Sequence, residues 1–122
     1  MTKTLTIVFL IAATTFICLW DVFVATNPVK GDTVSEIVLA FSFKHWFLPL
    51  VLGVVCGHLF WPVVKVEDKW VRLIVLWVIG ALCFVLDLAE VFSGIVPILP
   101  FLGGLVLGHL LWPQSQEVKK YI

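Results

Sequence analysis

Four apolar stretches of bilayer-crossing or nearly bilayer-crossing length leave this chain few ways to fold. A hydrocarbon core about 30 Å thick takes about 20 apolar residues in a helix, and unpaired backbone groups cannot face lipid. The stretches run over residues 5–25, 45–61, 70–92 and 95–112. The second and fourth are the shorter pair, which implies little tilt or local thinning of the bilayer. Composition points the same way: 61% of the 122 residues are hydrophobic, 13% are charged, and mean hydropathy is +1.13. An ordinary soluble domain carries about 25% charged residues, and no soluble domain of this size hides so much apolar surface.

The second constraint is a duplication. LPLVLGVVCGHLFWP at 48–62 returns as LPFLGGLVLGHLLWP at 99–113, with nine of fifteen positions identical at a constant offset of 51. The helices before these blocks align more weakly, with Asp21 and Asp87 at corresponding places. The unit is therefore a two-helix hairpin, and an even number of spans per unit makes both copies point the same way, about an axis along the membrane normal. The predicted fold is an all-α membrane protein of four transmembrane helices in two tandem parallel-repeat hairpins. The first repeat covers 1–62, a linker 63–69, the second repeat 70–113 and a polar tail 114–122.

Positive charge sets the orientation, because Lys and Arg near helix ends stay on the cytoplasmic side. Lys3, Lys65, Lys69, Arg72, Lys119 and Lys120 fall on one side, Lys30 and Lys44 on the other, which predicts cytoplasmic termini. The opening residues imitate a secretory signal, but the bulky Ile17 before Cys18 does not suit lipoprotein-type cleavage, so a retained first helix is expected. Trp20 and Trp46 near the outer ends, and Trp61, Trp70 and Trp112 near the inner ends, fit interfacial belts. In the long outer connection NPVKGDT supplies turn residues, and Thr33-Val-Ser-Glu36 is a capping-box pattern that predicts a helix over 34–44. That helix either lies in the interface or runs on into the second span with a bend at Pro49.

Within each second helix Pro, Gly, Gly and Trp recur at every fourth residue: Pro49, Gly53, Gly57, Trp61, and Pro100, Gly104, Gly108, Trp112. This spacing lines small residues along one face. In lipid, where the hydrophobic effect gives helices little reason to associate, close backbone approach at such a groove is a source of packing energy. The two grooved helices fit each other, or a neighbouring copy.

The polar residues offer limited chemistry. His58 and His109 sit at matched depth, where a histidine ordinarily bonds a carbonyl of a neighbouring helix; the sharper alternative is a shared bis-histidine haem or metal site. Asp21, Asp87 and Glu90 lie near outer helix ends, as ordinary helix-end polarity or as an ion-attracting mouth of an oligomer. At 1.5 Å per residue these acids stand nearly 20 Å from the two repeat histidines, too far for a direct acid–base pair within a hairpin. Cys18, Cys56 and Cys83 are odd in number and lack metal-type spacing, so they read as buried thiols. Lys and Arg (8) balance Asp and Glu (8), so nothing favours nucleic acid. No nucleophile elbow, phosphate loop or HExxH pair is present.

These features predict a non-enzymatic membrane protein without a resident cofactor. Its expected partners are the lipid bilayer and either its own copies or a larger membrane complex, in which it acts as a self-associating scaffold or small subunit through its glycine-grooved helices. A homo-oligomeric pore, holin-like or a small ion channel, is the alternative, and histidine-held haem or metal the third.

Overall fold

A computed structural model of the chain describes residues 1–121; the last residue of the tail, Ile122, lies outside them. The fold is all-helical, with α1 Thr2–Ala25, α2 Val34–Lys44, α3 Phe47–Phe60, α4 Lys69–Leu88 and α5 Ile98–Leu111, followed by a 3₁₀ turn over Gln116–Tyr121. Helices α1 and α4 are long and apolar enough to cross a membrane; the bent pair α2 and α3 makes a third candidate if counted as one broken span. The chain divides into two compact units, Met1–Ala40 and Phe41 onward. The division falls inside α2 rather than at the boundary between the repeats.

Three helix bounds differ from those the apolar runs predict, each for a local reason. The second run does not begin its helix at His45: α2 ends at Lys44 and the chain bends by 114° before α3. Nor does Pro49 make a bend. It sits in the first turn of α3, where its missing N–H would have had no helical partner anyway. The third run carries apolar residues to Phe92, but α4 stops at Leu88. There the Ala89 N–H bonds the Val85 carbonyl and the Val91 N–H reaches Leu86, and the chain turns with positive φ at Glu90, Phe92 and Gly94. The fourth helix starts three residues late, at Ile98, with Pro97 as its cap. At 14 residues apiece, α3 and α5 are about 21 Å long.

In the first unit, α1 is joined to α2 by a connection whose polar side chains close on one another. Asn27 accepts from the Val29 N–H and donates to Asp32 at 3.0 Å, and Gly31 turns the chain at φ +86°, a conformation that costs glycine little. Thr33 Oγ1 accepts the Glu36 N–H at 3.1 Å, and Glu36 reaches back to the Gly31 N–H at 2.5 Å. Two of the free donors at the start of α2 are thereby bonded to side chains once Asp21 is added, because its carboxylate accepts the Ser35 N–H at 3.0 Å. A negative group at a helix N-terminus is favourable, typically by about 0.3–1 kcal/mol.

The second unit is built on α3 and α5, which run parallel and meet at equivalent residues. A Cβ at Gly53 would land on the Phe101 carbonyl oxygen and within 3.0 Å of Gly104 Cα; a Cβ at Gly104 would land on the Leu50 carbonyl and within 3.0 Å of Gly53 Cα. One turn on, Gly57 meets Leu105 and Gly108 meets Val54. Because Leu50 and Phe101, and Val54 and Leu105, are themselves 51 residues apart, every contact has its exchanged twin, as a local pseudo-twofold axis requires. Helix α4 packs antiparallel to the pair: Arg72 in its first turn donates to the Leu110 carbonyl near the end of α5 at 2.6 Å, and Asp87 in its last turn meets His45 before α3. Apolar side chains point outward, with Phe60 77% and Trp77 78% exposed, an arrangement suited to lipid rather than water as the surrounding solvent.

Candidate functional site

The glycine crossing brings the C-terminal ends of α3 and α5 close enough for the two histidines to reach across. The His58 ring stacks on the Trp112 indole with centroids 3.7 Å apart, and the His109 ring on Trp61 at 4.0 Å. His58 Nδ1 lies 2.7 Å from the Trp112 carbonyl oxygen and His109 Nδ1 lies 3.0 Å from that of Trp61. A carbonyl only accepts, so each Nδ1 carries the proton and donates. The two imidazoles are therefore not a facing pair. Each is clasped by the tryptophan of the other repeat.

The exchange symmetry breaks immediately beyond the clasp. Gln114 Nε2 lies 2.9 Å from His58 Nε2, so His58 has both nitrogens engaged. The residue equivalent to Gln114 is Val63, which has no amide, and His109 Nε2 has no hydrogen-bond partner among the described residues. The Val63 N–H donates to the Gln114 carbonyl and the Gln116 N–H to the Val63 carbonyl, both at 2.8 Å, while Ser115 Oγ donates to the Val64 carbonyl at 3.2 Å. This short parallel bridge fixes the linker and the tail at the same end of the unit.

At the opposite end, residues 43–46 are tied to residues 87–94. His45 Nδ1 stands 3.0 Å from Asp87 Oδ2, Trp46 Nε1 donates to the Val91 carbonyl at 2.7 Å, and the Gly94 N–H donates to the Phe43 carbonyl at 3.0 Å. Asp87 is 5% exposed, and its Oδ1 is buried without a hydrogen-bond partner. Trp46 is only 9% exposed, so it serves as an internal anchor and not as a belt residue.

The candidate residues thus fall into separate places. Gly53, Gly57, Gly104 and Gly108 form the helix crossing, with Pro49 and Pro100 in the opening turns of their helices and Trp61 and Trp112 at the close. Of the three acids, Asp21 caps α2 in the first unit; in the second, Asp87 is buried against His45 and Glu90 is an exposed residue of the turn after α4 at φ +59°. His45 is the polar residue that sequence reasoning passed over. Its signal was slight, a third histidine outside the repeated block and next to Trp46.

As they are held, each repeat histidine bonds the tryptophan carbonyl of the other repeat, and no cluster of three or more His, Cys, Asp or Glu side chains forms among the described residues. Chemically, the arrangement joins helices. Interhelical hydrogen bonds in membranes contribute about 0.6 kcal/mol on average, and stacked aromatic pairs about 0.5–1.5 kcal/mol beyond their burial. No protein-family model, curated protein or solved structure matches the chain.

Proposed function

We propose that the chain is a non-enzymatic integral membrane protein that crosses the bilayer four times as two tandem hairpins, with both termini cytoplasmic, and serves as a self-associating scaffold or small subunit of a membrane complex. The observation that supports this reading is the closed α3–α5 core. Its glycine face is filled within the chain and its polar groups are engaged in clasps, so the pair is a preorganised block with apolar outer faces. Association then falls to those faces, such as the exposed Trp70, Ile74 and Trp77 along α4, and not to the glycine grooves. The 114° bend before α3 favours an interfacial α2. The residues flanking the short α3 and α5, helped by thinning of the bilayer, complete their crossings.

The test is the state of the full chain in mild detergent extracts of native membranes, combined with cysteine cross-linking at Trp77. A complex larger than the monomer, cross-linked through Trp77→Cys, is the expected result. A monomer with no co-purifying component, or ion flux through liposomes holding the purified protein, would overturn the scaffold reading. Labelling that places the 63–69 linker and the tail on opposite membrane surfaces would overturn the four-span arrangement.

A further inference from the structure

The tail of this protein is held to the linker just after α3 by backbone hydrogen bonds at Val63, and beside them lies a surface cavity of about 310 Å³ lined by Leu59, Pro62, Gln114, Gln116, Val118 and Lys119. The lining is amphipathic. Leu59, Pro62 and Val118 make an apolar side; Leu59, in the last turn of α3, is 53% exposed. The amide of Gln116 and the ammonium of Lys119 offer donors on the other side, and Gln114 is anchored through His58.

The cations at this end are not equivalent. Lys120 lies 3.7 Å from Glu117, and Lys65 lies 4.0 Å from Glu67, whereas Lys119 makes no ion pair among the described residues. Arg72 is spent on the Leu110 carbonyl. Across the linker, the start of α4 and the tail, five cations (Lys65, Lys69, Arg72, Lys119, Lys120) stand against three carboxylates (Glu67, Asp68, Glu117), so the local balance favours an anion. We infer that this cavity binds the headgroup of an anionic phospholipid. Lys119 and Gln116 donate to its phosphate oxygens, and the first acyl segment lies along Leu59 and Pro62. The inference rests on the membrane placement proposed above but not on the scaffold role.

Native mass spectrometry of the full chain, titrated with phosphatidylglycerol or phosphatidylcholine, tests it. Phosphatidylglycerol is expected to be retained in preference, and Lys119→Gln is expected to weaken that retention about fivefold, the effect of one basic residue at an anionic surface. Lys120→Gln is expected to change it less, and inorganic phosphate at millimolar concentration is expected not to displace the lipid. Equal retention of the two lipids, equal losses for Lys119→Gln and Lys120→Gln, or full displacement by phosphate would each overturn the site. Release of the chain from membranes by alkaline carbonate would instead overturn the placement on which the site depends.

Discussion

The two ends of the α3–α5 pair are held by different means. At the C-terminal end the contacts come as exchanged twins, His58 on Trp112 and His109 on Trp61. At the N-terminal end they are one-sided: His45 and Trp46 of the first repeat engage Asp87 and Val91 of the second, and no contact given for the described residues mirrors them. The cause is in the sequence. The repeated block covers 48–62 and 99–113, so the glycines, histidines and tryptophans inherit a common register. Ahead of each block the repeats have diverged, the first carrying α2 and the second only a tight turn. A duplicated segment thus supplies symmetric packing, and an unduplicated one supplies the lock that distinguishes the copies.

The comparison breaks most sharply at the glycines. Gly104→Leu places a branched side chain on the Leu50 carbonyl, where the neighbour is backbone and has little room to yield; a loss of about 3 kcal/mol or more is expected, at the upper end of overpacking costs. Gly103 is the control, since a Cβ there meets nothing within 4 Å. Gly103→Ala should leave the unfolding midpoint in mixed-detergent titration nearly unchanged. Similar losses for both variants would mean that the crossing does not govern the pair, because both replacements raise helix propensity.

The one-sided lock should follow. His45→Ala leaves the buried Asp87 carboxyl without its imidazole partner, and leaving a buried polar group unsatisfied costs about 1–3 kcal/mol. Replacing both partners, His45→Leu with Asp87→Leu, should recover most of the loss, because an apolar pair of similar volume leaves no buried polar group unsatisfied. Detergent-titration stabilities of the two single variants and the double variant check this. A double variant as unstable as the worse single one would show that the pair organises the turn rather than simply neutralising itself.

The reciprocal clasp should then appear as two equal couplings. Double-mutant cycles of His58→Ala with Trp112→Ala and of His109→Ala with Trp61→Ala are each expected to give about 1 kcal/mol of interaction energy. The same-repeat pairs, His58 with Trp61 and His109 with Trp112, should be close to additive. Coupling inside a repeat as large as coupling across it would dissolve the distinction between a clasp and a local stack.

What could be read from the sequence follows the same division. Apolar runs mark α1 and α4 because lipid leaves the backbone few options, and the four-residue spacing of glycines marks a face. What fills that face could not be read, since a small-residue stripe suits a second copy as well as a second repeat. The helix end at Leu88 was hidden for another reason: hydropathy continues through it to Phe92, and the turn is set by tertiary bonds from Trp46 to Val91 and from Gly94 to Phe43. His45 was hidden because its partner lies 42 residues away, at a distance no local pattern encodes.

The smallest expected effect probes where the symmetry fails. Gln114 bonds His58, and the exchange that carries His58 to His109 carries Gln114 to Val63. Val63→Gln therefore offers His109 Nε2 the amide it lacks, while the Val63 N–H and carbonyl remain free to keep their bonds to the tail. The expected gain is about 0.5 kcal/mol, near the mean for interhelical hydrogen bonds in a membrane. It should vanish in a His109→Phe background, which keeps the aromatic face on Trp61 but has no ring nitrogen. If the gain survives that replacement, the added amide bonds elsewhere, and the pseudo-twofold relation ends at Trp61 and Trp112 instead of extending into the linker and tail.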